Sequence, residues 1–292
     1  MLKFPGPSRP KDQHSILAVF AHPDDETFLV GGTLAHYARQ GVRVELLCLT
    51  RGEKGSPEKL GDSGERKLAR IRQAELEKCC RVLGVRLLPG QTFPDGQLSE
   101  TNVAVLSQPI EKALRERHPD LVLTFGADAL TGHPDHLAIH HATTRAFHRT
   151  SRPGSALFYA SLAAHNVDQL SNKMEGDLDG LPLCLAGRRT EEAFAALDIR
   201  QTNHLKWQAL ACHRTQSASF DGLSQDDLDL LGQEEYFWLA AIAGIDLAAT
   251  CFPARLHADL FEGLTHYKET YKETYKETYK ETYKEAAFEK AS

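Results

Sequence analysis

Short apolar runs alternate with helically spaced apolar positions through the first half of the chain. Ile16-Leu17-Ala18-Val19-Phe20 has the pattern of a buried strand and ends in the polar cluster His22-Pro23-Asp24-Asp25-Glu26. Leu34, Ala35 and Ala38 then recur at helical spacing until Gly41 stops the helix. Val42 to Leu49 predicts a second strand. A long helix follows from about Gly64 to Leu83, with Leu68, Ile71, Cys79 and Val82 near one side, and it closes at Gly84, where the missing Cβ suits a left-handed cap. Val85 to Leu88, a helix from Asn102 to Arg117 and the strand Leu121 to Phe125 continue the alternation. Strands that are apolar almost throughout, alternating with helices, imply a parallel sheet covered on both faces. The pattern therefore predicts an α/β fold: a Rossmann-like, open, mostly parallel sheet with helices on both faces and a smaller C-terminal region.

After Phe158 the pattern weakens. Residues 165–198 read as loops with a strand or two, and helical spacing returns at Thr202–Cys212 and near Asp226–Ala240. From Tyr267 to Glu285 the unit Tyr-Lys-Glu-Thr repeats, so the tyrosines form a stripe that drifts by about 40° per repeat on a helix. One spiralling stripe buries little without a partner, and the tail reads as a low-complexity extension. The expected organisation is an N-terminal extension (1–13), a catalytic core (14–165), a C-terminal part of the same domain (166–265) and the repeat tail (266–292).

Composition narrows the class. With 41% hydrophobic and 25% charged residues the 292-residue chain is ordinary globular protein. The balance of 34 basic and 40 acidic residues, net −6, argues against nucleic acid or an anionic membrane as the main partner. No stretch approaches the roughly 18 apolar residues of a membrane span. The opening MLKFPGPSRPKDQHS has neither an apolar core segment nor a small-residue cleavage site, so a cytoplasmic protein is expected. Cys48, Cys79, Cys80, Cys184, Cys212 and Cys251 form no CxxC pair, and several fall in apolar runs, as reduced buried cysteines do. A homo-oligomer is left open.

Two clusters carry the candidate chemistry: Ala21-His22-Pro23-Asp24-Asp25-Glu26 after the first strand, and Gly132-His133-Pro134-Asp135-His136 after the strand ending at Phe125. Ligands bind outside the carboxyl ends of strands in open parallel sheets, and both clusters fall there. Imidazoles and carboxylates with no thiolate nearby suit Zn²⁺, with Fe²⁺ or Mn²⁺ as substitutes. Five groups are candidates: His22, Asp24, Asp25, His133 and His136. Three ligands, one base and one cationic stabiliser would use all five, as metal-assisted hydrolysis requires. Each cluster alone also fits a helix cap or a His-Pro turn, and His118-Pro119-Asp120 reads as a turn of that kind. Arg51 stands near the crevice as an anion contact or an ordinary ion-pair partner. His140 reads as a helix-surface residue, and Trp207 and Tyr236-Phe237-Trp238 as core. Gly31-Gly32 lacks the spacing of a phosphate loop.

The paired motifs resemble those of the LmbE/PIG-L family of zinc-dependent N-deacetylases. The resemblance extends to Thr50-Arg51-Gly52-Glu53, to Arg72-x-x-Glu75 with Leu83-Gly84, more weakly to Asp95-Gly96, and to Lys206…Ala209-Leu210…His213-x-x-Gln216, over roughly residues 14–240. It implies His22, Asp25 and His136 as metal ligands, Asp24 as the general base, and His133, protonated, as the stabiliser of the oxyanion. It also implies Arg72 as a substrate contact and Asp135 as a carboxylate orienting a histidine, while Glu26 would satisfy amides at the start of the next helix. The implied reaction removes acetyl from an N-acetylglucosamine-type conjugate, a small amino-sugar substrate such as N-acetylglucosaminyl malate. Competing readings are an amidase acting on a thiol-sugar conjugate, a two-metal phosphohydrolase, and an assembly protein whose tail carries the function.

Overall fold

The computed structural model describes residues 10–55, 64–90, 93–170, 177–178, 181–182, 185–220, 223–245 and 256–270. Strand β1 (Ser15–Phe20) leads to helix α1 (Asp25–Arg39), β2 (Arg43–Cys48), α2 (Glu65–Leu83), the short β3 (Arg86–Leu87), α3 (Val103–Arg117) and β4 (Leu121–Phe125). A single strained turn, α4 (Ala129–Gly132), then precedes α5 (Pro134–Thr150), β5 (Ala156–Ala163) and α6 (Ala164–Leu170). Short strands β6 (Asp177–Leu178), β7 (Leu181–Pro182) and β8 (Gly187–Arg188) follow, then β9 (Ala195–Asp198), α7 (Asn203–Leu210), α8 (Gln225–Leu231) and β10 (Glu234–Ile242).

The main sheet has the order β3-β2-β1-β4-β5-β10-β9, with β8 added beside β5. Strands β1 to β5 are parallel, and β10 runs antiparallel to both β5 and β9. Ser15 to Phe20 are all buried, which is why β1 carries no polar alternation. Helix α1 packs on α2 and α7, while α3 and α5 pack on each other, so the sheet is covered by two helical layers. Gly84 caps α2 at φ 72°, as its missing side chain predicts. The chain leaves β1 toward β2 on one side, and β4 lies on the other. The crevice of the sheet therefore opens between the carboxyl ends of β1 and β4.

One feature differs from the expectation. The helical pattern near 226–240 resolves into α8 and then β10, with Gly232 at the break. Tyr236-Phe237-Trp238-Leu239 has no helical period, and a strand flanked on both sides buries such a run on both faces. Gly31-Gly32 proves to be a packing site: a Cβ on Gly32 would lie 2.5 Å from Ile199 Cδ1. Beside it, Lys206 Nζ meets Glu235 Oε1 at 2.8 Å, and Glu235 also accepts the Gly32 and Thr33 amides, so this buried charge is paired and hydrogen-bonded.

A helix over 260–270 brings the first residues of the repeat onto the body, where Lys268 Nζ donates to Gly154 O at 2.6 Å. Tyr271, Tyr275, Tyr279 and Tyr283, like Cys184 and Cys251, lie outside the described residues. Cys48, Cys79, Cys80 and Cys212 are buried free thiols. Among the described residues no helix is long and apolar enough to cross a membrane.

Candidate active site

The chain turns sharply after β1. Asp24 holds φ at 124°, a region that costs a non-glycine residue strain and that occurs where surrounding structure over-determines it. After β4 the turn at Ala129 (φ 54°) and Leu130 (φ 61°) is strained in the same way. His133 then caps α5, its Nδ1 accepting the Asp135 amide at 3.1 Å, with Pro134 in the first turn.

These two turns bring His22, Asp25 and His136 together. His22 Nδ1 lies 3.2 Å from His136 Nε2 and 3.4 Å from Asp25 Oδ2, and Asp25 Oδ1 lies 3.2 Å from His136 Nε2. The other edge of each ring faces an acceptor. His22 Nε2 is 3.0 Å from Asp95 Oδ1 and 3.4 Å from Asp135 Oδ2, while His136 Nδ1 is 3.0 Å from Ala129 O. A carboxylate and a carbonyl can only accept, so with a cation held between the rings the protons would sit on His22 Nε2 and His136 Nδ1, and the facing nitrogens would be free to ligate it. Two ring nitrogens at 3.2 Å, beside a buried carboxylate, call for positive charge between them. Burial pushes the His22 imidazole down, but its hydrogen bonds to Asp135, Asp25 and Asp95 outweigh that and hold it well above the ordinary range. A cation held by two neutral imidazoles and one carboxylate satisfies the same demand, and this donor set fits a divalent transition metal.

Asp24 and His133 border the trio. The Asp24 side chain is 17% exposed against 7% for Asp25, so Asp24 is the carboxylate that reaches the crevice. Burial raises its carboxyl to about 6, opposed by the Arg72 guanidinium. The His133 ring lies 5.0 Å from that of His22 and 4.9 Å from that of His136. Burial, with repulsion from the neighbouring His22, lowers His133 to about 4. Because its Nδ1 accepts a backbone amide, its proton is on Nε2 and the ring is neutral. The Nε2 edge of His133 is therefore the one that can donate into the crevice.

Asp135 accepts the amides of Gly96 at 2.8 Å and Leu98 at 2.9 Å as well as facing His22, so it ties the 95–99 loop to α5. Asp95 approaches His22 more closely than Asp135 does, and burial notwithstanding, His22 and the Lys54 amide hold it at about 2. Sequence reading gave Asp95 only a weak motif match. Nothing in a lone loop carboxylate announces its partner.

Arg72 is buried, with Nη1 donating to Gly52 O at 2.8 Å and Nη2 to Pro23 O at 2.7 Å and lying 3.3 Å from Asp24 Oδ2. It braces the turn that carries Asp24, while its Nε has no hydrogen-bond partner among the described residues. Three residues along α2, Glu75 accepts both the amide and the hydroxyl of Thr215, at 3.0 and 2.6 Å. Arg51 stands exposed beyond β2 and is not drawn into the trio. His140 is buried rather than on the helix surface: its Nδ1 bonds Phe125 O at 3.0 Å and its ring packs on Tyr159 at 4.6 Å.

Room for Arg72 depends on glycine. A Cβ on Gly52, itself at φ 65°, would lie 2.3 Å from Arg72 Cζ. Gly52→Ala should therefore destabilise the fold by about 1–3 kcal/mol, read from the urea midpoint. An unchanged midpoint would mean that Arg72 is not held there.

Fold and cluster together place a candidate divalent-metal site at the carboxyl ends of a Rossmann-like sheet. Residues 17–147 match the family described as PIG-L, GlcNAc-PI de-N-acetylase. A 1D-myo-inositol 2-acetamido-2-deoxy-alpha-D-glucopyranoside deacetylase 2 of Catenulispora acidiphila is 30% identical over 87% of this chain and 98% of its own length. The chain belongs to the PIG-L (LmbE) family of N-deacetylases. A probable N-acetyl-alpha-D-glucosaminyl L-malate deacetylase 2 of Bacillus anthracis is 32% identical over 53% of this chain and 69% of its own. The N,N'-diacetylchitobiose deacetylase of Pyrococcus horikoshii shares the fold, with a TM-score of 0.57 at 21% identity over 79% of this chain and 85% of its own.

Proposed function

We propose that this chain is a cytoplasmic N-deacetylase that hydrolyses the acetamide of an N-acetylglucosaminide carrying a small polar aglycone, of the inositol or malate type, to acetate and a free amine. His22, Asp25 and His136 would hold the metal, Zn²⁺ first, with Fe²⁺ or Mn²⁺ as substitutes. The observation that carries this reading is the convergence of two imidazole nitrogens, each ring with an acceptor behind it, on one carboxylate. When bound, the metal supplies Lewis-acid chemistry at the amide and makes water nucleophilic near neutral pH.

The chain's own groups do the rest. Asp24 takes a proton from the attacking water and passes it to the departing amine. His133 directs its Nε2–H as a hydrogen bond to the carbonyl oxygen as negative charge builds there, and the proton stays on the ring. Asp135 and Asp95 keep His22 in the tautomer that frees Nδ1. Arg72 anchors Asp24; the guanidinium is directed to the turn, so any contact with substrate would come through its remaining Nε or through movement. Arg51, exposed at the rim, is assigned to the aglycone.

The test is product release from a panel of N-acetylglucosaminides with inositol, malate or methyl aglycones, beside p-nitrophenyl phosphate. Equal amounts of acetate and free amine from at least one glucosaminide are expected, with a preference for inositol or malate over methyl. Phosphate release with no acetate would overturn the reading in favour of a phosphohydrolase.

A further inference from the structure

Beneath the Asp24 turn lies a set of buried groups that the chemistry above does not use. Glu26 is fully buried. Its Oε2 accepts the Asp24 amide at 3.1 Å, and its Oε1 accepts the Thr27 hydroxyl at 2.7 Å and the Cys79 thiol at 3.3 Å. His213, from the turn after α7, places Nε2 3.5 Å from the same Oε1. Neither nitrogen of His213 has a hydrogen-bond partner among the described residues, and its side chain is 0% exposed. The His213 ring edge is thus the basic side chain set directly against this buried carboxyl.

Position makes this pair more than ballast. The amide that Glu26 accepts belongs to the residue held at φ 124°, and a left-handed aspartate relaxes unless both its backbone and its side chain are tied. Arg72 ties the side chain and the preceding carbonyl. Glu26 ties the backbone, and the His213 ring, 3.5 Å from Oε1, packs against the carboxyl that does so and holds it in place. Glu75, bonded to Thr215, fixes the turn that delivers His213. The late His213-x-x-Gln216 motif is thereby connected to the first motif through the core.

We propose that His213 is a positioning residue for deacetylation, holding Asp24 in its reactive conformation through Glu26. This rests on Asp24 being the base. No contact of His213 with substrate or metal is involved, so its loss acts on the rate constant and leaves substrate affinity and metal content as they were.

The test compares His213→Gln, Asp24→Asn and the double variant, using metal-loaded full-length protein and a glucosaminide that the wild type hydrolyses. His213→Gln should lower kcat by about 10–100-fold, the scale on which a misplaced catalytic group loses rate, with KM within about twofold and metal content unchanged. In the Asp24→Asn background the same change should cost nothing further, because the group it positions is already gone. The Glu26→Gln/His213→Gln pair, whose two amides can bond each other while one oxygen still accepts the Asp24 amide, should exceed His213→Gln in kcat, and it supplies the comparison if the single variant does not fold. Three results would overturn the proposal: a lower melting temperature with unchanged kcat, a raised KM at unchanged kcat, or an additional loss on top of Asp24→Asn. Full activity in Asp24→Asn alone would instead remove the base assignment, a separate and recognisable failure.

Discussion

Asp24→Asn should lower kcat for acetate release by about 10²–10⁴-fold, the range over which a positioned general base contributes. Asparagine keeps the size of the side chain and an oxygen that can face Arg72 Nη2, now 3.3 Å from Asp24 Oδ2. It cannot take a proton. Asp24 stands outside the His22–Asp25–His136 trio, so metal content should be unchanged. Substrate binding should change little, because proton transfer is made in the transition state and not in the ground state. Steady-state kinetics with metal analysis on the same preparation check all three points. Equal rates for the two proteins would remove Asp24 from the mechanism, and a loss of metal with the activity would make it a ligand.

His136→Ala should abolish metal retention through dialysis and reduce activity at stoichiometric metal to background. The substitution deletes one of two imidazole donors and leaves His22 among Asp25, Asp95 and Asp135. Loss of a partner behind a ligand costs about 10–100-fold in affinity or activity, and loss of the ligand itself must cost more. Asp95→Asn gives the graded comparison: it weakens the acceptor behind His22 Nε2 while keeping every donor of the trio. The His136 ring also stacks on Phe125 at 4.2 Å, so some stability is lost as well. A melting curve separates that loss from the metal effect. Full metal retention in His136→Ala would show that the ion sits elsewhere.

Much of this centre was legible before any coordinates, because its two halves are contiguous in sequence. His22 to Glu26 and His133 to His136 each follow an apolar strand, and the rule that ligands gather at carboxyl strand ends places them opposite one another. Of the partners that face the ligand rings, Asp135 was expected from the resemblance, while Asp95 and the Ala129 carbonyl were not. Asp95 reaches His22 from a loop with no periodicity, and the capping bond to His133 Nδ1 exists only in the turn geometry. His140 reads as surface from its helical position, yet it faces the sheet end and bonds Phe125 O. Gly31-Gly32 shows the same limit: two glycines in a helix are ambiguous until Ile199 and Lys206 are seen pressed against them. The misread segment at 234–240 failed for a different reason. A strand buried on both faces loses its alternation, and the adjoining α8 lent it a false helical start.

The most direct measurement is the metal content of fully active enzyme, set against acetate release as metal is titrated into chelator-treated protein. A single centre at His22, Asp25 and His136 requires activity to rise linearly and level off at one divalent ion per chain, with no such rise in His136→Ala. A plateau reached only at two ions per chain, or acetate release that survives complete removal of metal, would contradict it.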